Sequence, residues 1–189
     1  MVVLDDEMPG PMWIGEITWV LYLGQPGSHS EGFTVSMANT PLDELTEVFE
    51  DNYPTGALVQ VAVVDSLSTA GPDGTEITVK LETPFYYNGA DNLLIETEYS
   101  QGSSFAWSWC WNPSSNRGIT SYPGDPTGNF QEYVPYMVLE SPESLNNETF
   151  GGIKVVLGKL QHQSVIFQFS DTFLACAVRD MHQSRNQLY

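Results

Sequence analysis

The feature that most limits how this chain can fold is a period-2 alternation over residues 75–99, TEITVKLETPFYYNGADNLLIETEY. Ile77, Val79 and Leu81 alternate with Glu76, Thr78, Lys80 and Glu82, and Leu93, Ile95, Thr97 and Tyr99 alternate with Leu94, Glu96 and Glu98. Successive side chains of a β-strand point to opposite faces, so this spacing sets one face of each segment on a core and the other in water. Between the two, Thr83-Pro84 is expected to end the first ladder because proline has no N–H to donate, and Asn88-Gly89 supplies residues that accept positive φ.

The same period recurs on both sides. Trp13, Ile17, Trp19, Leu21 and Leu23 take odd positions in residues 13–23, and Phe33, Val35 and Met37 alternate with Thr34 and Ser36. Val59, Val61 and Val63 are in step, Phe105, Trp107, Trp109 and Trp111 oppose the small face Ala106, Ser108 and Cys110, and residues 130–140 are extended. This makes seven strands in the first 140 residues, as many as a two-sheet sandwich needs. Sixteen Gly and twelve Pro suit such a turn-rich chain. Thr40-Pro41 reads as an N-cap followed by proline at the first helical position, with Asp43 and Glu44 in the first turn and Leu42, Leu45, Val48 and Phe49 at helical spacing. One short helix is predicted there, with a strand from Glu47 as the competing reading.

The expected architecture is therefore all-β, a two-sheet antiparallel sandwich of jelly-roll or Ig-like type over residues 13–140. Residues 1–12 read as an extended arm. Residues 141–189 read as a linker and a strand-forming extension, with apolar runs at 153–157, 164–170 and 172–178 that need a sheet edge, their own or a neighbour's.

Charge narrows the function classes. The net charge of −18 argues against nucleic acid as a partner, since binding phosphates takes Lys and Arg to displace counterions. No apolar run approaches the roughly 20 residues of a membrane span, so membrane insertion is not expected. Residues 1–150 hold 22 Asp and Glu against Lys80 and Arg117, whereas residues 151–189 hold Asp171 and Asp180 against Lys154, Lys159, Arg179 and Arg185. The tail is thus electrostatically complementary to the body. Cys110 and Cys176 are too few for a disulfide framework; one body-to-tail bridge and two buried thiols both remain open.

The order of several short motifs resembles an accessory β-sandwich module of large secreted bacterial proteins. The motifs are Gly15-Glu16-Ile17-Thr18, Asn39-Thr40-Pro41-Leu42-Asp43-Glu44-Leu45-Thr46, Val48-Phe49-Glu50-Asp51-Asn52-Tyr53, Thr83-Pro84-Phe85 with Tyr87-Asn88-Gly89 and Asp91-Asn92-Leu93, then Asn116-Arg117 and Tyr133-Val134-Pro135. The resemblance covers residues 13–140 and implies a non-catalytic β-sandwich placed outside the cell or on its surface, in a bacterium. It carries over no catalytic residues and does not extend to the tail.

Four sets of side chains are candidate sites. Asp43, Glu44, Glu47, Glu50 and Asp51 form an acidic cluster that, without EF-hand spacing, reads as a solvated face before a Ca²⁺ site, and Asp91, Asp125 and Glu132 lie on loops or strand ends where oxygen ligands suit Ca²⁺; no other cofactor is expected. Trp107, Trp109 and Trp111, with Tyr86 and Tyr87 at the turn, form either a platform for glycan rings or part of an inter-sheet core. Lys154, Lys159, Val165, Phe167, Phe169 and Arg179 mark the tail as an assembly element. Catalysis is not expected: Ser28-His29-Ser30, His162 and His182 lack a nucleophile elbow. The expectation is a structural or adhesive subunit whose partners are copies of itself or neighbouring domains, with glycan binding and a monomeric accessory domain as alternatives.

Overall fold

The computed structural model describes residues 1–103, 106–122 and 124–142, only the backbone of Ser103 and Trp107, and the backbone of three strands in the tail, at 154–157, 163–168 and 175–180. The protein is all-β. Its strands are β1 (Val2–Val3), β2 (Met12–Gly24), β3 (His29–Thr40), β4 (Val59–Ser68), β5 (Glu76–Tyr87), β6 (Asn92–Glu98), β7 (Gln101–Ser103) and β8 (Ala106–Trp111). Beyond them follow β9 (Gly118–Thr120), β10 (Asn129–Gln131), β11 (Val134–Pro135), β12 (Met137–Glu140), β13 (Lys154–Leu157), β14 (Gln163–Gln168) and β15 (Ala175–Asp180).

Two antiparallel sheets face each other. One has the order β1-β6-β3-β4, with β7 also on β3; the other runs β13-β12-β2-β8-β14-β15, with β5 on the second edge of β2 and β11 on β8. Because side chains alternate, each strand gives its inward residues to a shared core. Phe33, Val35, Met37, Leu93 and Ile95 come from the first sheet, and Ile14, Ile17, Trp19, Val79, Phe85 and Leu139 from the second. Trp19 meets Phe33 edge-on across the gap, ring centroids 5.9 Å apart. The opposite face of the first sheet buries a smaller cluster of Val2, Ala38, Leu45 and Leu94.

Three expectations change. Residues 1–12 are part of the body, not an arm: Val2 and Val3 pair with Leu94 and Leu93 and are fully buried. Thr83-Pro84 does not end its strand. Pairs Ile14–Phe85 and Glu16–Lys80 flank a register shift, so residues 81–84 stand opposite Gly15 in a bulge, where a proline costs no ladder bond. The two strands and the turn at Asn88-Gly89 read from residues 75–99 are present, and the strands belong to different sheets, so this segment crosses the sandwich.

The helix expected at residues 42–49 is also absent, and the helical turn lies at Phe49–Asn52 instead. The reason is where the backbone donors go. Leu45 N–H reaches the Asn116 carbonyl at 2.7 Å, Phe49 N–H the Pro126 carbonyl at 3.1 Å, and Thr46 N–H the Asn52 side chain at 2.7 Å. Asn52, buried, also donates to the Thr46 and Val48 carbonyls. Tertiary partners thus replace the helical ladder, and they outweigh a propensity of a few tenths of a kcal/mol per residue.

The tail strands pair with the body. β13 runs antiparallel to β12 from Met137–Leu157 to Glu140–Lys154, while β14 adds to β8 at Val165–Cys110 and Ile166–Trp109 and carries β15 on its other edge.

Candidate functional site

A half-open cleft of about 990 Å³ lies between the end of β6, residues 45–53 and the β9–β10 hairpin with the turn beyond it. Its walls follow from the local chemistry just described. The Asn52 amide folds residues 46–52 into a compact loop, and Val48–Thr127 and Gly128–Glu47 backbone contacts tie that loop to the hairpin side. Gly128 is needed at this seam, because a Cβ there would lie 2.9 Å from the Thr120 carbonyl oxygen and 3.0 Å from the Phe49 ring.

Along β6 the face carrying Leu94 becomes acidic one turn of the pleat later. Leu94 is buried against Leu45, but Glu96 and Glu98, two and four residues on, reach the cleft. Glu47, Glu50 and Asp125 face them from the other walls, and Phe49, Tyr53, Tyr99, Tyr122 and Tyr133 contribute rings. No Lys, Arg or His lines the cleft among the described residues. Among the described residues, Glu47, Glu50, Glu96 and Glu98 make no salt bridge.

The electrostatics follow from this imbalance. Burial, then the charge of Glu98, push the Glu96 carboxyl above the ordinary range, against a smaller pull from the amino group of Met1. Burial and the charges of Glu96, Glu50 and Glu98 likewise raise the Tyr53 phenol. The Met1 amino group donates to the Ile95 carbonyl at 2.6 Å, and burial lowers it to about 6. Arg117, the nearest strong cation, is buried and committed elsewhere. Its Nε donates to the Val2 carbonyl at 3.1 Å, its two terminal nitrogens grip Glu7, and its guanidinium lies 4.8 Å from the Trp111 ring centroid.

The residues singled out from the sequence go to several places. Asp91 accepts from the Asn88 side chain at 2.7 Å, Asp125 from Ser121 at 3.1 Å, and Glu132 from Asn112 at 3.2 Å. These three do not come together, and no group of three or more metal-ligating side chains converges among the described residues. Asp91 instead belongs to a turn in which Asn88 Oδ1 accepts from Ala90 and Asp91 N–H, with Gly89 at φ +72°.

The inter-sheet reading of the tryptophans is overturned for the residues described. Ala106, Ser108 and Cys110 are the buried face of β8, and Trp109 and Trp111 are half-buried on the other side. Trp109 Nε1 donates to Asp73 at 2.7 Å and its ring meets Tyr22 edge-on at 5.4 Å; Trp111 sits under Arg117, its Nε1 without a hydrogen-bond partner among the described residues. The Trp107 side chain lies outside the described residues. Tyr87 is fully buried, but Tyr86 is 48% exposed beside Trp13, 45% exposed, with ring centroids 5.1 Å apart.

Reading the sequence alone missed two things. Trp13 shares odd numbering with the core residues Ile17, Trp19 and Leu21, yet the irregularity at Gly15 reverses its direction; a Gly opposite a Pro-containing segment was the available signal. The cleft carboxylates Glu96 and Glu98 read as an ordinary solvated strand face. In the tail, Lys154, Val165, Phe167 and Arg179 lie on β13, β14 and β15, while Lys159 and Phe169 lie outside the described residues.

Fold and site together define an all-β protein of antiparallel, sandwich-like architecture with an acidic, aromatic cleft at one end of its first sheet. Comparison of the chain with protein families, curated proteins and solved structures found no match. Among the described residues, no helix is long and apolar enough to cross a membrane.

Proposed function

We propose that the chain is a non-catalytic structural or adhesive β-sandwich subunit, secreted or displayed on a bacterial cell surface, that associates with copies of itself or with neighbouring domains through its C-terminal strands. The observation that carries this reading is the strand addition of β13 to β12 and of β14 to β8. Without those strands the two body strands present unpaired N–H and C=O groups, and the backbone bonds that satisfy them are the same whether the donor strand comes from the same chain or the next. Residues 141–153 span up to about 45 Å when extended, long enough to reach a neighbour. Charge supports the direction: Lys154 takes the register position opposite Glu140, and Glu140 that opposite Glu16. The resemblance of residues 13–140 to accessory modules of secreted bacterial proteins supports the location.

Light scattering and electron microscopy of the full chain test this. Species heavier than the 21.0 kDa protomer are expected. Ile166→Pro, which removes an N–H from β14, should disperse them. A single protomer-sized species at high concentration would mean that the tail completes only its own sandwich.

A second reading is favoured by the exposed Trp13–Tyr86 pair, which moves the candidate glycan platform from β8 to the β2–β5 edge. Glycan-array binding that is lost in Trp13→Ala and kept in Trp109→Phe would establish it.

A further inference from the structure

We infer that the facing pair Glu140 and Lys154 selects which strand the β12 edge accepts, and in which register: a strand with a cation opposite Glu140 and apolar residues one and three positions further on. The inference rests on the reading that this edge is where chains associate. On the face of the second sheet turned away from the core, Lys80 of β5 stands opposite Glu16 of β2, Glu16 opposite Glu140 of β12, and Glu140 opposite Lys154 of β13. Like charges at facing positions repel, and opposite charges attract. The juxtaposition of Glu16 and Glu140 at the centre of this row is therefore unfavourable, and cations on its two flanks offset it. Lys80 does so from within the body, its Nζ 3.3 Å from Glu16 Oε1. The cation on the other flank arrives with the added strand, because residues 118–153 contain no Lys or Arg and Lys154 is the first residue of β13.

Apolar packing by itself leaves the register of β13 ambiguous. Val155 and Leu157 take the positions opposite Leu139 and Met137, both buried in the core. A slip of one residue would turn Val155 and Leu157 to the other face, so burial forbids it. A slip of two residues keeps the same faces and costs little apolar contact. It moves Lys154 opposite Val138 or past the end of β12, and leaves Glu140 opposite an uncharged residue. Glu140 is the one charged residue of β12 and Lys154 the one charged residue of β13, so this pair separates the observed register from both two-residue slips. The same test excludes an apolar strand without the cation, whichever chain supplies it.

Amide hydrogen exchange of the full chain, read at residues 155–157, tests the inference. Lys154→Glu should lower protection there about fivefold, the scale of one cross-strand charge contact, and Glu140→Lys should do the same. The exchanged pair E140K/K154E, which sets opposite charges at every step of the row, should restore protection to within about twofold of the wild type. Lys159→Glu makes the same change of charge beyond β13 and should alter protection by less than about twofold. Unchanged protection in Lys154→Glu, a loss that the exchanged pair does not restore, or an equal loss in Lys159→Glu would overturn the inference. The origin of the strand is read separately, since Val138 and Val156 face each other in register. In V138C/V156C assembled from an equal mixture of ¹⁵N-labelled and unlabelled chains, the mass of the peptide linking residues 138 and 156 shows whether one chain or two supplied it. Exclusively intrachain links would overturn association through this edge, while loss and rescue of protection would still establish the selection.

Discussion

At the scale of single residues, the body has two cations to set against its acids, and both are used structurally. Lys80 pairs across strands with Glu16 at 3.3 Å, but it is largely exposed and so contributes little. Arg117 is different: it is 3% exposed and joins the first residues of the chain to the loop after β8 by gripping Glu7 and the Val2 carbonyl. Arg117→Met leaves Glu7 without its partner and the Val2 carbonyl without a donor, and is expected to cost about 3 kcal/mol in urea denaturation. A loss below about 1 kcal/mol would show the clamp to be incidental. Glu96 gives a pH signature. Its carboxyl is raised in the folded state, so the folded protein holds that proton more tightly than the unfolded chain does. The charged form therefore opposes folding, and this group's contribution improves as pH falls through its folded-state pKa toward the unfolded value of about 4.3. Glu96→Gln should melt higher than the wild type at neutral pH, with the gap closing as pH approaches about 4. Melting curves across that range check the sign.

At the scale of elements, β2 organises the second sheet: β5 lies along one edge, with β12 and then β8 on the other. Its ladders shift register between Ile14 and Glu16 and again between Leu21 and Leu23. Each shift exchanges the inner and outer faces, which is why Trp13 and Leu23 are exposed while Ile17, Trp19 and Leu21 are core. The end of β2 is held by Gly24, whose N–H and carbonyl both bond Gly71. A Cβ at Gly24 would lie 2.0 Å from the Thr69 carbonyl oxygen and 2.9 Å from the Gly71 nitrogen, both backbone. Gly24→Ala must therefore separate β2 from residues 69–71. A loss of at least about 2 kcal/mol is expected, with early hydrogen exchange of the Gly71 amide as the local marker. Strand positions were legible because the period-2 signal survives between bulges. Residues 42–49 are not a helix because Leu45 and Phe49 donate to Asn116 and Pro126, which no local window contains, while Thr46 donates to the Asn52 side chain just beyond the segment.

At the scale of the whole molecule, a charge of −18 opposes compaction. Raising ionic strength from about 0.01 M to about 0.15 M shortens the screening length from about 30 Å to about 8 Å and should raise the melting temperature at neutral pH. A temperature that falls with salt would mean that ion pairs outweigh the self-repulsion. The same negative field draws the basic tail toward the body, so association through the tail weakens with salt.

Strand positions and the sign of the surface charge follow from the amino-acid order alone. Both are local: alternation needs only neighbours two residues apart, and charge adds whatever the fold. Which sheet each strand joins, which way Trp13 and Tyr87 point, and that Glu50 and Glu98 line one cleft are properties of the folded chain. Those depend on bulges that reverse a face and on hydrogen bonds between residues as distant as Leu45 and Asn116. Such contacts exist only after the chain has closed on itself, and no pattern along it encodes them.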